Sequence, residues 1–211
     1  MTQTIEYFYS THSAFAYIGS ARFMEIAAAN GRKIVHRPVD LGAVVAAARG
    51  LTFRERTPAH RAYFFGREIA RWAEHRGVAI IDYRPTHHDN SLALSSGMVL
   101  AAVEQGLDAD RLAHAILEAH WRDDADHADP ATLAEIARKA SFDPEPLLER
   151  GRSDEILAIL AANTKEAIER SVFGSPTYFV DGDMFYGQDR LEHVARALER
   201  PFENRWPPIE A

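Results

Sequence analysis

The chain has 211 residues, with 24 Lys and Arg against 31 Asp and Glu, ten His and no Cys, which gives a formal net charge of −7. Because it has no Cys, disulfides, thiolate metal sites and cysteine nucleophiles are excluded, and any thiol chemistry needs a thiol from a bound molecule. The acidic residues are spread along the chain and no stretch reaches the roughly 18 apolar residues of a membrane helix, so we expect a cytoplasmic protein with no nucleic-acid or membrane partner.

The N-terminal part has the pattern of a strand, a helix and a second strand. Residues 5–9 are aromatic and β-rich, and the small or polar residues 10–13 can cap a helix. Apolar residues then recur at helical spacing from residue 14 until Asn30 and Gly31, which supply a C-cap. Residues 33–39 have the composition of a second strand. A β-α-β order implies two parallel strands joined by a right-handed crossover.

The middle of the chain predicts helices and almost no strand. Helical patterns cover residues 63–75, 91–105, 111–120, 130–140, 144–150 and 153–170, with turn residues between them. In the first of these helices we expect Tyr63, Phe64, Phe65 and Trp72 to lie in the core, with one or two also lining a pocket. Arginines of the same helix, among them Arg76, indicate a solvated face or a contact for a substrate carboxylate.

The last part predicts a hairpin and a helix. Residues 177–180 and 184–186 flank an Asp-Gly turn, which is a strong hairpin signal. An amphipathic segment at 190–198 follows, and then a Pro-rich tail. We predict an α/β fold with a thioredoxin-like core, β-α-β … β-β-α, at residues 1–40 and 171–200. A large all-helical insertion occupies residues 41–170, and part of its last helix can belong to the core.

Three places in such a fold can carry chemistry. The reactive group of a thioredoxin-like fold lies where the first strand turns into the first helix, because the backbone N–H groups there favour an anion. Ser13 occupies this place, where it is either a plain helix cap or a hydrogen-bond donor that lowers the pKa of a bound thiol such as glutathione. Ser175-Pro176 precedes the hairpin, where it is a plain turn or a cis-proline loop that binds an extended peptide. Asp189 can cap the last helix or bind an ammonium group.

Together these motifs resemble the 2-hydroxychromene-2-carboxylate isomerase family, which is close to kappa-class glutathione transferases and belongs to the DsbA-like group. The resemblance rests on Ser13, Trp121 and the stretches 163–167, 173–177 and 185–190, and runs from Ile5 to about Leu198. It implies a homodimer that binds reduced glutathione and acts on a small aromatic carboxylate. It also implies the interconversion of hydroxychromene carboxylate and hydroxybenzylidene-pyruvate compounds by reversible thiolate addition.

The resemblance also assigns roles to individual positions. Ser13 matches the catalytic serine that contacts the glutathione sulfur. The other matches are the cis-proline pair Ser175 and Pro176 and the residues that hold the γ-glutamyl end, Gln188 and Asp189. A lysine expected at the glycine carboxylate aligns with His60, and the neighbouring Arg61 can supply the charge. The chain departs from the family's Asp-Phe-x-Ser-Pro motif, since residues 10–14 contain neither the Asp nor the Pro, and Ser175 replaces a Val.

Other functions stay open at this point. One is a kappa-like glutathione transferase or peroxidase, and another is a non-catalytic thioredoxin-fold binding protein, which the missing family residues favour. A dithiol oxidoreductase is excluded because the chain has no Cys. His12 is either solvated or directed at the sulfur. The His and Asp residues at 87–89 and 120–127 resemble metal ligands, but adjacent histidines point apart and the second group lies in a predicted loop, so we expect no metal site.

Overall fold

In the computed structural model, which describes residues 4–203, four strands form one mixed sheet. The strands are β1 (Thr4–Tyr9), β2 (Lys33–Pro38), β3 (Thr177–Val180) and β4 (Asp183–Tyr186). Their order is β2-β1-β3-β4, with β1 parallel to β2 and antiparallel to β3, and with β3 antiparallel to β4. The predicted parallel pair and the terminal hairpin are therefore confirmed. The Pro-rich tail lies outside the described residues.

Helices surround this sheet. Helix α1 (Ala14–Ala29) joins β1 to β2, and α10 (Leu191–Glu199) follows β4 after a short 3₁₀ turn. Between β2 and β3 lie α2 (Leu41–Ala47), α3 (Pro58–Arg61), α4 (Glu68–Arg76), α5 (Ala93–Glu104), α6 (Ala109–Arg122), α7 (Pro130–Lys139), α8 (Pro144–Gly151) and α9 (Asp154–Glu169). This is the predicted thioredoxin-like α/β fold with a helical insertion. The domain boundaries at residues 40 and 171 stay a prediction, and α9 contacts β2, where the Asn163 amide donates to the Pro38 carbonyl at 3.4 Å.

The helix predicted at 63–75 differs from the observed chain. The structure has α3, a π-helical segment Ala62–Arg67 and then α4 in one continuous run. In a π-helix the hydrogen bonds run from i to i+5, so successive side chains do not follow the stripe of an α-helix. Tyr63 is 55% exposed, and Phe64, Phe65 and Trp72 are only half-buried. Phe65 and Trp72 nevertheless pack against the core cluster, so the expectation of core packing is confirmed for these two residues and wrong for the exposed Tyr63. The expectation that some of the aromatic residues line a pocket is confirmed below.

Strand β1 is an inner strand of the sheet and is buried, which fixes the place of the residues that follow it. Tyr7 stacks on Tyr9 with ring centroids 4.1 Å apart, and on Tyr178 of β3 at 5.4 Å. The same hydrophobic cluster continues through α1 into α5 and α6 of the insertion. The residues that follow β1 are thus held between the sheet and the insertion. No helix within residues 4–203 is long and apolar enough to cross a membrane.

Candidate functional site

Ser13 lies at the start of α1, at the carboxyl end of β1. Its hydroxyl oxygen accepts a hydrogen bond from the Ala16 N–H at 3.2 Å, which makes it the N-cap of the helix. The hydroxyl donates to the Ser175 carbonyl at 3.3 Å. An O–H···O bond of this length is weak, since such bonds are normally 2.5 to 3.0 Å long. Ser13 is therefore a helix cap whose proton is held only loosely.

The loop before β3 faces this turn. The Ser175–Pro176 peptide bond is cis, as predicted. The hydroxyl of Ser175 accepts from the Ser10 N–H at 3.0 Å, so the two loops are joined by bonds in both directions. At Gly174 a Cβ would lie 2.3 Å from the ring of Tyr186, so a larger residue here would displace that ring. The two predicted loops therefore form one site.

A small pocket of about 170 Å³ continues from Ser175 towards the last helix. It is lined by Phe15, Phe64, Glu68, Trp72, Ser175, Tyr186, Gly187, Gln188, Asp189 and Arg190. Gln188 is buried, and its Nε2 has no hydrogen-bond partner among the described residues. Asp189 pairs with the neighbouring Arg190. The pocket thus offers an unused amide donor beside a carboxylate.

Arg76 supports this pocket from behind. Its Nε donates to the Gln188 Oε1 at 3.4 Å, and its Nη2 donates to the Gln188 carbonyl at 3.3 Å. The side chain is only 12% exposed and also meets Glu192 at 3.6 Å. Arg76 is therefore not part of a solvated face.

A larger cavity of about 1140 Å³ lies between the insertion and the core. Its aromatic walls include Phe15, Phe53, Phe64, Phe65, Tyr83 and Trp121, and its cationic residues are Arg56, Arg61, Arg67 and Arg84. The guanidinium groups of Arg61 and Arg84 lie 5.4 and 5.3 Å from the ring of Phe53. Ser13 and Ser175 line the same cavity. The carboxylates of Glu74, Asp82 and Asp89 also line the cavity, and that of Asp89 pairs with Arg84. Aromatic walls with arginines suit a flat aromatic anion.

The structure brings most of the candidate residues together. Ser175 lines both cavities, Ser13 and Arg61 line the larger one, and Gln188 and Asp189 line the smaller one. Pro176 adjoins Ser175 through the cis bond. His60 does not line either cavity and instead lies exposed beside Arg56, 3.0 Å from its Nη1.

Beside this site His88, His120 and His127 meet, a contact that the sequence did not predict. The Nδ1 of His88 lies 3.0 Å from the Nε2 of His120, and the Nδ1 of His120 lies 3.1 Å from the Nδ1 of His127. The ring of His12 stacks on His88 at 4.4 Å, so His12 is not a solvated turn residue. Burial lowers the pKa of His88 to about 3 and that of His120 to about 4. These histidines come from separate turns and a helix, so no local spacing in the sequence predicts that they are in contact.

Comparison with known proteins is consistent with this geometry. A family model described as a DsbA-like thioredoxin domain matches residues 4–199. The chain is 28% identical to a 2-hydroxychromene-2-carboxylate isomerase of Sphingobium xenophagum, over 94% of this chain and 99% of the relative. It is 24% identical to the protein of the same name from Pseudomonas putida, over 93% and 94%. A solved 2-hydroxychromene-2-carboxylate isomerase shares the fold with a TM-score of 0.75 and 23% identity, covering 93% of this chain and 95% of that one.

Proposed function

Because the chain belongs to the DsbA-like thioredoxin family and its relatives are named 2-hydroxychromene-2-carboxylate isomerases, we propose that it is a glutathione-dependent isomerase of that type. Its reaction interconverts hydroxychromene carboxylate and hydroxybenzylidene-pyruvate compounds. The observation that carries this proposal is the position of Ser13. It lies at a helix N-terminus, faces a cis-proline loop and opens into an aromatic cavity lined by arginines.

The residues around the cis-proline fit reduced glutathione. The unpartnered Nε2 of Gln188 can donate to the γ-glutamyl carboxylate, and the carboxylate of Asp189 can pair with its ammonium group. The backbone of Ser175 can pair with the cysteinyl part as an added strand would. Arg61 lines the larger cavity and is the nearer candidate for the glycine carboxylate, since His60 lies outside it. When bound, glutathione supplies the thiolate that adds reversibly to the substrate.

Ser13 and α1 favour that thiolate. The first N–H groups of a helix have no intrahelical partner and stabilise an anion together with the helix dipole. The Ser13 hydroxyl can turn from its weak bond with Ser175 and donate to the sulfur. A donor that binds only the charged form lowers the pKa of the thiol.

The larger cavity fits the substrate by its charge and shape. Arg84 is held by Asp89 at 2.6 Å, whereas Arg56 and Arg61 lie over phenylalanine rings of the cavity wall. A substrate carboxylate can pair with Arg56, which leaves Arg61 for the glycine carboxylate of glutathione, while the substrate ring packs between aromatic side chains. We therefore propose a small aromatic carboxylate as substrate.

The direct test is isomerisation of 2-hydroxychromene-2-carboxylate with and without reduced glutathione. We expect turnover only with glutathione, and a decrease in kcat of about 100-fold for Ser13→Ala, the usual effect of removing one donor to a developing anion. Ser20→Ala is a matched control, because Ser20 is also buried on α1 but donates to Tyr17 away from the site. Equal turnover without glutathione would contradict the proposal. Turnover of a generic electrophile without isomerisation would instead indicate a kappa-like transferase.

The proposal includes a homodimeric assembly. Sedimentation equilibrium tests it independently of activity. A mass twice the 23.6 kDa of one chain would support it, and the mass of a single chain would contradict it.

A further inference from the structure

A row of histidine rings leads away from the large cavity. His88 lines the cavity together with His12 and Ser13. Behind it, His120 and His127 are both buried. Hydrogen-bonding distances of 3.0 and 3.1 Å join the three rings in the order 88, 120, 127. The row therefore connects a cavity wall to the interior of the insertion.

Two backbone carbonyls determine where each ring carries its proton. The Nε2 of His127 lies 3.2 Å from the Asn90 carbonyl, and the Nδ1 of His120 lies 3.1 Å from the Ala125 carbonyl. A carbonyl oxygen only accepts, so both of these nitrogens must be protonated. In the neutral rings the Nδ1 of His127 and the Nε2 of His120 are then acceptors. The Nδ1 of His88 is consequently a donor to His120.

This assignment leaves the Nε2 of His88 as an unprotonated nitrogen. Among residues 4–203 the structure shows no hydrogen bond to this atom, and His88 lines the cavity. The row thus presents a free base to whatever occupies the cavity. His12 holds the ring in place by stacking, and Trp121 fixes His12 in turn, because its Nε1 donates to the His12 carbonyl at 2.8 Å.

A metal site does not account for this arrangement. His120 turns its Nε2 to His88 and its Nδ1 to both the Ala125 carbonyl and His127, so these nitrogens are engaged with protein groups. Within residues 4–203 no group of three or more His, Cys, Asp and Glu side chains is placed to hold a metal ion. Hydrogen bonds in line, each with a donor and an acceptor, are the arrangement that conducts protons.

The far end of the row approaches the surface at an acidic residue. Asp126 adjoins His127 in the sequence, and its carboxylate raises the pKa of that ring while burial lowers it. Asp126 also meets the partly exposed His87 at 3.4 Å. A positive charge on the buried His127 ring is therefore stabilised by the carboxylate of Asp126.

We propose that His88 exchanges protons with the molecules that react beside Ser13, and that His120 and His127 carry the resulting positive charge into the insertion, where it ends on His127 close to the carboxylate of Asp126. A proton that leaves an S–H or O–H bond in the cavity binds to Nε2 of His88, and the Nδ1 proton of His88 passes to Nε2 of His120. The Nδ1 proton of His120 then passes to Nδ1 of His127. His88 and His120 each gain one proton and lose one, and the positive charge ends on His127. The same steps in reverse return a proton to the product. This inference rests on the proposed isomerase function.

The charges around the row favour this direction. Burial, His120 and Arg84 all lower the pKa of His88 to about 3, and only Asp89 opposes them. Further along, the pKa of His120 is about 4, because the Ala125 carbonyl and nearby Asp124 and Asp126 partly offset burial. Carboxylates therefore offset burial at His120, whereas at His88 the neighbouring Arg84 adds to the effect of burial. A substrate that fills the cavity excludes water, so an internal proton acceptor is then needed.

Nitrogen NMR of the protein without ligand tests the row itself. At neutral pH we expect neutral rings, with the proton on Nδ1 of His88 and His120 and on Nε2 of His127. A proton on Nε2 of His120 would overturn the proposal whatever reaction the protein catalyses, because His88 could then no longer donate to it.

Kinetics test the role of the row. In His88→Ala we expect kcat to fall by about 100-fold, the usual contribution of general acid–base catalysis, with unchanged KM for glutathione and partial rescue by imidazole. In His120→Gln, which keeps a donor and an acceptor but cannot relay a proton, we expect a similar fall without rescue.

His193→Gln is the control, since His193 is exposed and far from the row. A wild-type protein without isomerase activity would overturn the proposed function and this role together. If the wild type is active and His88→Ala is equally active, only the proposed proton transfer through the histidine row would be contradicted.

Discussion

The side chain of Ser175 joins the two loops of the candidate site. The resemblance to the isomerase family leads one to expect Val at this position, and Asp and Pro in the turn after β1. Here the Ser175 hydroxyl accepts from the Ser10 N–H, so a side chain of one loop orders the backbone of the other. The reactive turn is thus held by a hydrogen bond that the usual valine cannot make.

We predict that Ser175→Val destabilises the protein without abolishing glutathione binding. The change leaves the buried N–H of Ser10 without a partner, which costs about 1–3 kcal/mol in the free energy of unfolding. Because the backbone of residue 175 makes the proposed contact, affinity for glutathione should be retained. Urea denaturation and calorimetric titration measure the two effects. A loss of binding with unchanged stability would contradict this interpretation.

At the other end of the proposed glutathione site we predict that Asp189→Asn weakens binding by about tenfold or more, since a charge-assisted hydrogen bond contributes about 1.5–3 kcal/mol. The matched control is Asp183→Asn, because Asp183 is exposed at the start of β4. Calorimetry gives the dissociation constant of glutathione for each variant, and the difference between the two constants measures the contribution of Asp189. Equal constants would show that Asp189 only pairs with Arg190; the structure gives it no capping hydrogen bond at the last helix, so the expectation of a helix cap is wrong.

At the scale of elements, α5 and α8 cross with their backbones in contact. A Cβ at Gly97 would lie 2.1 Å from the Gly151 carbonyl oxygen, and a Cβ at Gly151 would lie 2.9 Å from the backbone of residue 97. Two glycines therefore allow this close approach. The same helix α5 supplies Ser95, whose hydroxyl lies 2.8 Å from the Thr11 hydroxyl in the reactive turn. The close contact between α5 and α8 therefore determines the position of α5, which contacts the turn after β1.

We predict that Gly97→Ala lowers the free energy of unfolding by about 1–3 kcal/mol or more, because backbone atoms cannot yield to the added methyl group. In the control Gly66→Ala, no atom lies within 4 Å of the added Cβ, so little change is expected. Urea denaturation of both variants gives the comparison. Equal stabilities would mean that α5 and α8 can separate at low cost.

Local chemistry made some elements predictable and left others hidden. The Asp181-Gly182 turn specifies its hairpin by itself, and Asn30 and Gly31 mark the end of α1 as expected. The π-helical segment carries no such signal, because its composition is that of an ordinary amphipathic helix. The site was predictable where a residue adjoins a strand end, as Ser13 does. Arg76 and the histidine row depend on contacts between distant parts of the chain, which a single sequence does not show.

At the scale of the whole molecule, the insertion and the sheet share one core, and ionisable groups are buried within it. His120 is fully buried, and burial holds its folded-state pKa at about 4, below the value of 6.5 for an unperturbed histidine. Between these two values the unfolded chain binds more protons than the folded chain. Stability is therefore present above pH 6.5 and is lost as the pH falls towards 4.

We predict that the free energy of unfolding falls between pH 6.5 and 4 and that His120→Gln makes this dependence shallower. For one buried histidine the slope approaches about 1.4 kcal/mol per pH unit. His193→Gln, with an exposed side chain, should retain the wild-type slope. Carboxylates that titrate in the same range are present in all three proteins, so the differences isolate the histidine. A wild-type slope in His120→Gln would show that burial does not lower the pKa of His120 below its unfolded value.

The most direct test of the central claim is the ultraviolet absorbance of the thiolate as reduced glutathione is titrated into the protein. At a pH where free glutathione is a thiol, the wild type and Ser20→Ala should give a saturable thiolate signal, and Ser13→Ala should lose most of it. Binding without thiolate formation, or an equal signal in Ser13→Ala, would contradict the claim that Ser13 and the N-terminus of α1 ionise the sulfur.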